Sequence, residues 1–478
     1  MTSGGVQDVD VIVLGMSPGG EQLAEQLADA GWAVLAADPR LVGGECPYFG
    51  CIPSKMIIRG AEVLAEGRRI NGLAGSALVT ADYTPVADRI RDEATDDWND
   101  QVAVDRLTGK GATFVRGSGR LAGRTGDGRL LVDIDGVRYA APKVVISTGT
   151  APAIPPIDGL AELRGDNPGP DGLVWTNREI LRVRTAPPSM IVIGGGAVGI
   201  ELAQGFARFG TAVTVLEGGP RILGPEEPEA AEVVTDVLRR EGVDVRTGAR
   251  TIAVRAGVDG VEVTLDGGEV LTAARLLVAA GRRPNLDLGL DTVGLDPDTR
   301  TLAVDGHMQV QRDGIAVDGL YAVGDITGRG AFTHVSVFQA TVLAAELLGT
   351  TAYYDGYDAL AWVTFSDPEV GRVGLSESQA RERGHDVQTA AVGMAESTRG
   401  WIHGPGNDGV IKLVADRAQG VLIGATVVGP GGGEILGLLT LAVHAKVPLA
   451  TLASMHYAYP TLHRGVLAAV QKLLNPAG

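Results

Sequence analysis

Two cysteines, the only ones in the chain, share the segment Gly43-Gly44-Glu45-Cys46-Pro47-Tyr48-Phe49-Gly50-Cys51-Ile52-Pro53-Ser54-Lys55. Two thiols and a cation in one short stretch, leading into a predicted helix that bears Lys55, are the ingredients of disulfide exchange. That chemistry needs a thiolate, and helix N-termini and nearby cations lower a thiol's pKa. Two cysteines are too few to staple a secreted scaffold or to build a four-thiolate zinc or iron–sulfur site. The bland alternative is a pair of small buried hydrophobes; the place of the pair, directly after a nucleotide-type unit, favours the redox reading.

The elements that must position this segment are a duplicated unit. Val9 to Asp38 and Met190 to Glu217 each read as apolar strand, glycine loop, helix, strand and acidic residue. In the second copy Met190 to Ile193 is a strand, Gly194, Gly196 and Gly199 form GxGxxG, a helix follows through Phe209, and Val213 to Leu216 leads to Glu217. The glycines allow a tight turn and close backbone approach, a pyrophosphate sits at the helix N-terminus, and the acid accepts hydrogen bonds from ribose hydroxyls. The first copy has Gly15 and Gly20 but Ser17 at the middle position, and it closes on Asp38. A serine there either crowds the pyrophosphate or hydrogen-bonds to it. A single glycine-rich turn can be mere packing; two copies with terminal acids argue for nucleotide binding.

At 478 residues the chain is expected to hold roughly three domains. Its 41 Lys and Arg against 58 Asp and Glu give a formal charge of −17, which offers no electrostatic footprint for nucleic acid or an anionic membrane. With 45% hydrophobic and 21% charged residues the composition is globular. The 69 glycines are about twice the usual share and cluster without a collagen-like period, as tight loops near ligands would. Neither a signal-peptide pattern nor an uninterrupted apolar span is seen, since the best candidate, near Val421 to Val443, contains glycines and Glu434. A soluble, cytoplasmic protein is expected. Proline-rich Pro152 to Pro170 and the Arg282-to-Asn285 turn mark domain crossings, and from about Thr350 shorter strands and the helical stretch Glu434 to His444 predict a third, α+β domain.

The cysteine segment resembles the active-site segment of the class I pyridine nucleotide-disulfide oxidoreductases, the flavoenzyme family of dihydrolipoamide dehydrogenase, glutathione reductase and mercuric reductase. Ser147-to-Pro152 and Gly281-to-Asn285 resemble the family's two chain crossings, and Leu320-to-Asp325 its second flavin motif. The resemblance implies an α/β protein with two Rossmann-like dinucleotide-binding domains, for FAD and NAD(P), plus a C-terminal α+β dimerisation domain. The expected boundaries are 1–155 and 286–350 for the two parts of the FAD-binding domain, 156–285 for the NAD(P)-binding domain and 351–478 for the interface domain. It also implies a homodimer whose two subunits build the substrate pocket.

Roles carry over by position. The resemblance implies that Asp38 binds the adenosine ribose of FAD and Asp325 the ribityl chain, with Gly15, Ser17, Gly20, Gly44, Thr148, Gly149 and Gly324 also lining FAD. Gly194, Gly196, Gly199, Glu217 and Gly281 are implied for NAD(P)H. Lys55 would sit beside the flavin N5 with Glu201 as its partner, Cys51 would be the flavin-facing thiol, and Cys46 the outer interchange thiol. Glu217 favours NADH, because a carboxylate there binds both ribose hydroxyls and repels a 2′-phosphate; Arg221, four residues on, could pair with a phosphate instead.

The chain breaks the family pattern near its end. Where disulfide reductases carry His-Pro-Thr followed by a glutamate, it reads Tyr459-Pro460-Thr461-Leu462-His463-Arg464, so Tyr459 replaces the acid–base histidine and Arg464 its orienting glutamate. A phenol, with reference pKa near ~10, is a poor base at neutral pH, whereas imidazole near ~6.5 is well matched. His463 is the first candidate substitute, His456 a weaker one, and His334 a structural histidine; none has metal-ligand spacing. The expected function is therefore FAD-dependent NAD(P)H oxidation with a small-molecule electron acceptor, quinone favoured. The alternatives are dihydrolipoamide dehydrogenase or a low-molecular-weight disulfide reductase, a thiol oxidase or C–S cleaving variant, and a non-catalytic redox sensor. No nucleic acid, membrane or metal partner is expected.

Overall fold

The computed structural model describes residues 6–166, 169–350, 354 and 356–475. The chain divides into two compact units, one made of Met1–Pro53, Arg89–Pro152 and Arg282–Asp355, the other of Ser54–Asp88, Ala153–Gly281 and Gly356–Gly478. The chain thus passes between units five times, two of them at the expected crossings, after Pro152 and after Gly281.

In the first unit, Val11–Leu14 lies between Lys143–Ile146 and Val34–Ala37 in a parallel sheet, with Thr113–Val115 outside the latter. Ile315–Ala322 extends the sheet beside Lys143–Ile146 and folds back as a hairpin on Gln309–Arg312. The central strand is a continuous apolar run because both of its faces are covered, and all four of its residues are buried. Helices Pro18–Asp29 and Thr333–Leu347 pack against each other.

The second unit repeats the arrangement. Ser189–Ile193 lies between Arg275–Val278 and Ala212–Glu217, with Asp244–Thr247 outside the latter, all parallel. Each copy also carries an antiparallel excursion before its last strand: Gly119–Arg124, Leu130–Ile134 and Val137–Ala141 in one, Thr251–Gly257, Gly260–Leu265 and Val270–Ala273 in the other. The duplication seen in the sequence is thus a duplication of topology. The rest of the second unit includes a five-stranded antiparallel sheet, Ala361–Thr364, Glu369–Gly374, Val421–Gly429, Val410–Asp416 and Val387–Gly393. Helices Gly432–His444 and Arg464–Leu474 contribute Leu439, Val466 and Val470 to the core around Ile411, Leu413 and Val427. Among the described residues no helix is long and apolar enough to cross a membrane.

Strand and helix meet closely at both glycine loops. The amide of Gly15 donates to Ala37 O at 2.8 Å and that of Gly194 to Leu216 O at 2.9 Å, which pins each loop to the next strand. A Cβ at Gly20 would overlap the carbonyl oxygen of Gly15, and one at Gly199 that of Gly194. Gly199→Ala is therefore expected to lower the thermal midpoint by an overpacking cost of about 1–3 kcal/mol, despite alanine's better helix propensity. Gly437→Ala, in a helix and with nothing within 4 Å of the added carbon, is expected to leave the midpoint unchanged or raise it; differential scanning calorimetry of the two variants checks the contrast.

Candidate active site

The two glycine loops treat their middle positions alike. Ser17 is the N-cap of Pro18–Asp29 at φ −64°, and Gly196 is the N-cap of Ala197–Arg208 at φ −79°. Serine is a favoured N-cap residue, so nothing in the backbone demands glycine there. Its hydroxyl accepts from Gly20 N at 3.4 Å and lies 2.5 Å from Ser147 Oγ, so it points into the protein rather than crowding the loop's mouth. Gly15 and Gly194, by contrast, have φ +91° and +108°, in the region that favours glycine.

Each terminal acid closes its own loop. Asp38 accepts from Met16 N and Arg40 N, both at 2.7 Å. Burial raises its carboxyl above the ordinary aspartate range, and these two amide bonds oppose the rise. Glu217 accepts from Gly195 N at 2.8 Å and Gly219 N at 2.6 Å. Arg221, the competing phosphate ligand, donates to the carbonyls of Gly224 at 2.8 Å and Glu226 at 3.3 Å. Asp325 accepts from Thr150 Oγ1 at 2.8 Å, and the preceding Gly324 amide is held by the buried Gln339 at 2.7 Å. The two crossings pair as strands Thr150–Pro152 and Arg282–Pro284, and Thr148 and Asn285 exchange bonds at 2.7 and 2.8 Å. Nothing stands within 4 Å of where a side chain would begin at Gly149, Gly196 or Gly281. These open glycines, beside loops already closed by carboxylates, fit a dinucleotide in each copy.

Cys46 lies in the short helix Glu45–Phe49, which follows Gly44 at φ +70°, and Cys51 opens the long helix Cys51–Arg69. The pair is not joined by a disulfide. Cys51 Sγ is 3.6 Å from Thr333 Oγ1 at the start of Thr333–Leu347. The Cys46 thiol is pushed well above the ordinary cysteine range, first by its hydrogen bond to Cys51 and then by burial, with Thr333 pulling the other way. One turn along the long helix, Lys55 Nζ pairs with Glu201 Oε2 at 2.8 Å and stands 4.5 Å from the centre of the Phe365 ring. The other oxygen of Glu201 accepts from Phe365 N at 2.8 Å, so this carboxylate, its side chain only 8% exposed, is satisfied on both sides.

Near the C-terminus Tyr459 is 66% exposed, and the Arg464 guanidinium lies 5.3 Å from the centre of its ring. Arg464 also donates to Tyr457 O at 3.5 Å. His463 precedes the helix Arg464–Leu474, with Nε2 3.4 Å from Thr461 Oγ1 and its ring 5.9 Å from that of Tyr457. His456 is exposed, and His334 is exposed and stacked on Phe332 with 11° between the ring planes.

These features point to one family, and comparison with known proteins decides it. The chain matches the pyridine nucleotide-disulphide oxidoreductase family over residues 9–340 and that family's dimerisation domain over residues 360–470. The chain belongs to this family. It is 33% identical to a dihydrolipoyl dehydrogenase of Thermus scotoductus over 98% of both chains, and 28% identical to a mercuric reductase of Bacillus cereus over 98% of this chain and 72% of that protein. Among solved structures, LpdA from Mycobacterium tuberculosis superposes with a TM-score of 0.82 at 25% identity, covering 98% of this chain and 100% of that one. The HOCl-induced flavoprotein disulfide reductase RclA from Escherichia coli has the same fold, with a TM-score of 0.81 at 24% identity over 97% of this chain and 99% of that one. Members of the family are enzymes that use FAD and NAD(P)H, and the dimerisation domain supports a homodimer.

Sequence reasoning overlooked three contacts of the cysteine segment. Thr333 gives no signal, being one threonine among many. Arg282, quoted only as part of a crossing motif, pairs with Glu45 at 2.9 Å and bonds Thr150 O at 2.8 Å. Trp98 donates from Nε1 to Tyr48 O at 3.1 Å, a contact no spacing rule announces.

A raised pKa lowers the thiolate fraction of Cys46 at any pH below it. In the reduced protein, alkylation of Cys46 by iodoacetamide is therefore expected to be at least about tenfold slower than that of free cysteine at pH 7, and to climb with pH without levelling below about pH 9; peptide mapping by mass spectrometry reads it. Glu217→Ser removes the carboxylate that the family resemblance sets against a 2′-phosphate, and is expected to raise kcat/KM for NADPH relative to NADH by about tenfold, checked by steady-state kinetics with both nucleotides.

Proposed function

We propose that this protein is an FAD-dependent NADH oxidoreductase whose acceptor is a quinone or similar small electron acceptor rather than a dithiol substrate. The observation that carries the reading is the Tyr459–Arg464 pair. The positions that the family gives to an acid–base histidine and its carboxylate are taken by an exposed phenol ring with a guanidinium 5.3 Å from its centre. Neither side chain offers an imidazole nitrogen to accept and return a thiol proton near neutral pH. A guanidinium beside an exposed aromatic face suits a planar acceptor that gains negative charge on reduction.

Residues 1–155 and 286–350 would hold FAD, through Gly15, Ser17, Gly20, Asp38, Gly44, Thr148, Gly149, Gly324 and Asp325. Residues 156–285 would hold NADH, through Gly194, Gly196, Gly199, Glu217 and Gly281, and 351–478 would form the dimer interface. When bound, FAD supplies the relay between a nicotinamide hydride and an acceptor that takes electrons singly or in pairs. The protein's own part is orientation and charge. Lys55, neutralised by Glu201, places a fixed cation one helical turn from Cys51. The hydrogen bond to Cys51 and burial both push the Cys46 thiol up, and the family resemblance makes Cys51 the flavin-facing thiol. The engagement of Arg221 with two backbone carbonyls, and of Glu217 with two amides, supports NADH over NADPH.

A second reading, dihydrolipoamide dehydrogenase, is favoured by the 33% identity to the Thermus scotoductus enzyme. It needs His463 to take over the proton. NADH oxidation by the purified protein with quinones, lipoamide and small disulfides as acceptors separates the two. The proposal expects fast quinone turnover, slow lipoamide turnover and retention of quinone turnover in Cys46→Ser, since electrons leaving the flavin directly need no outer thiol. Lipoamide turnover exceeding quinone turnover, and lost in His463→Ala, would establish the second reading in its place.

A further inference from the structure

A helix of five residues has no stability of its own, so the place of Cys46 in Glu45–Phe49 must be imposed from outside. Two of the groups that impose it come from one neighbouring stretch of the first unit. Asp100 Oδ2 accepts from Val42 N at 2.6 Å, ahead of the helix, and the same carboxylate is paired with Arg116 at 2.7 Å. Trp98 Nε1 donates to Tyr48 O at 3.1 Å, behind Cys46. The carbonyl of Tyr48 is among those that so short a helix leaves without an intrahelical donor. The indole supplies one.

The backbone that aims Trp98 is unusual. Asp96, Asp97 and Trp98 have φ of 48°, 52° and 57°, three successive non-glycine residues in the left-handed region. Side chains crowd the following carbonyl in that region, and a bulky tryptophan is a rare occupant. The run follows a π-helical turn, Ile90–Ala94, and is locked by the buried Thr95, whose hydroxyl donates to Ile90 O at 3.0 Å and accepts from Trp98 N at 3.3 Å. Asp97 N donates to Arg91 O at 2.7 Å and Asn99 N to Thr95 O at 3.1 Å. Strain that is so thoroughly held in place is a signature of a functional constraint.

We propose that Trp98 is a positioning residue for the redox pair: its indole N–H, aimed by the left-handed run, fixes the Cys46 helix in the dithiol form and so sets the thiol–disulfide equilibrium. A disulfide requires the two Cβ atoms to stand about 3.8 Å apart with a dihedral near 90°, so the equilibrium responds to any anchor on one partner. The inference rests on the reading of Cys46 and Cys51 as the redox pair.

The test equilibrates the holoenzyme in glutathione buffers, where two glutathione thiols give two electrons and two protons to the Cys46–Cys51 disulfide and leave glutathione disulfide and two protein thiols. Trapped thiols are counted by mass spectrometry. Trp98→Phe keeps the ring and loses the donor; it is expected to shift the equilibrium toward the disulfide by about fivefold, the factor carried by one net hydrogen bond, with FAD content unchanged. Should that variant not fold, Thr95→Val, which loses the hydroxyl that fixes the Trp98 amide, is expected to move the equilibrium in the same direction. A folded variant with an unchanged equilibrium, or one shifted toward the dithiol, would falsify the role of Trp98. A wild-type protein that forms no Cys46–Cys51 disulfide in the most oxidising buffer would instead overturn the redox-pair reading, and this inference with it.

Discussion

A helix can offer its N-terminus to a phosphate only if it begins almost on top of the strand that precedes it, and both nucleotide-type copies depend on that closeness. At Gly20 and Gly199 the gap between helix and loop carbonyl leaves no room for a side chain. What keeps the loop from relaxing outward is an acid from the next strand: Asp38 holds Met16 N, and Glu217 holds Gly195 N. Each carboxylate therefore serves the fold itself, by satisfying an amide that the tight turn leaves without a helical partner. Loop, helix start and acid form one unit, and the parallel sheets exist to bring the three to one end of adjacent strands.

The two thiols are held in opposite ways. Cys51 is carried by a nineteen-residue helix that can define its own axis. Cys46 sits on a fragment tethered by Arg282 at Glu45, by Asp100 ahead of the helix and by Trp98 behind it. The long helix sets the place of Cys51 by itself, whereas the place of Cys46 depends on contacts from elsewhere in the chain.

Much of this was legible in the residues, for a physical reason. Parallel strands buried on both faces must be apolar throughout, as Val11–Leu14 and the buried stretch Met190 to Ile193 are, and turns at positive φ call for glycine, as Gly15 and Gly194 do. Both constraints are local, so both leave marks in sequence. The Lys55–Glu201 pair is not local, and only likeness to a family linked its members. The Trp98 anchor was illegible because a left-handed run of aspartates and a tryptophan violates backbone preference instead of following it, and rules built on preference pass over such a segment. The fate of the Ser17 hydroxyl likewise depended on Ser147, a residue brought near only by the pairing of Val11–Leu14 with Lys143–Ile146.

That serine carries a lesson about how duplicated units part ways. Of the three glycine positions in each loop, the first is fixed by positive φ and the third by a carbonyl oxygen pressed against it. The middle one is an ordinary N-cap, where a hydroxyl is as welcome as a hydrogen. After a duplication, this is the position where one copy can drift without threatening its fold, and Ser17 against Gly196 is such a difference. Two sites that must not exchange their ligands inside one chain can thus become chemically distinct at the one place the backbone leaves unguarded.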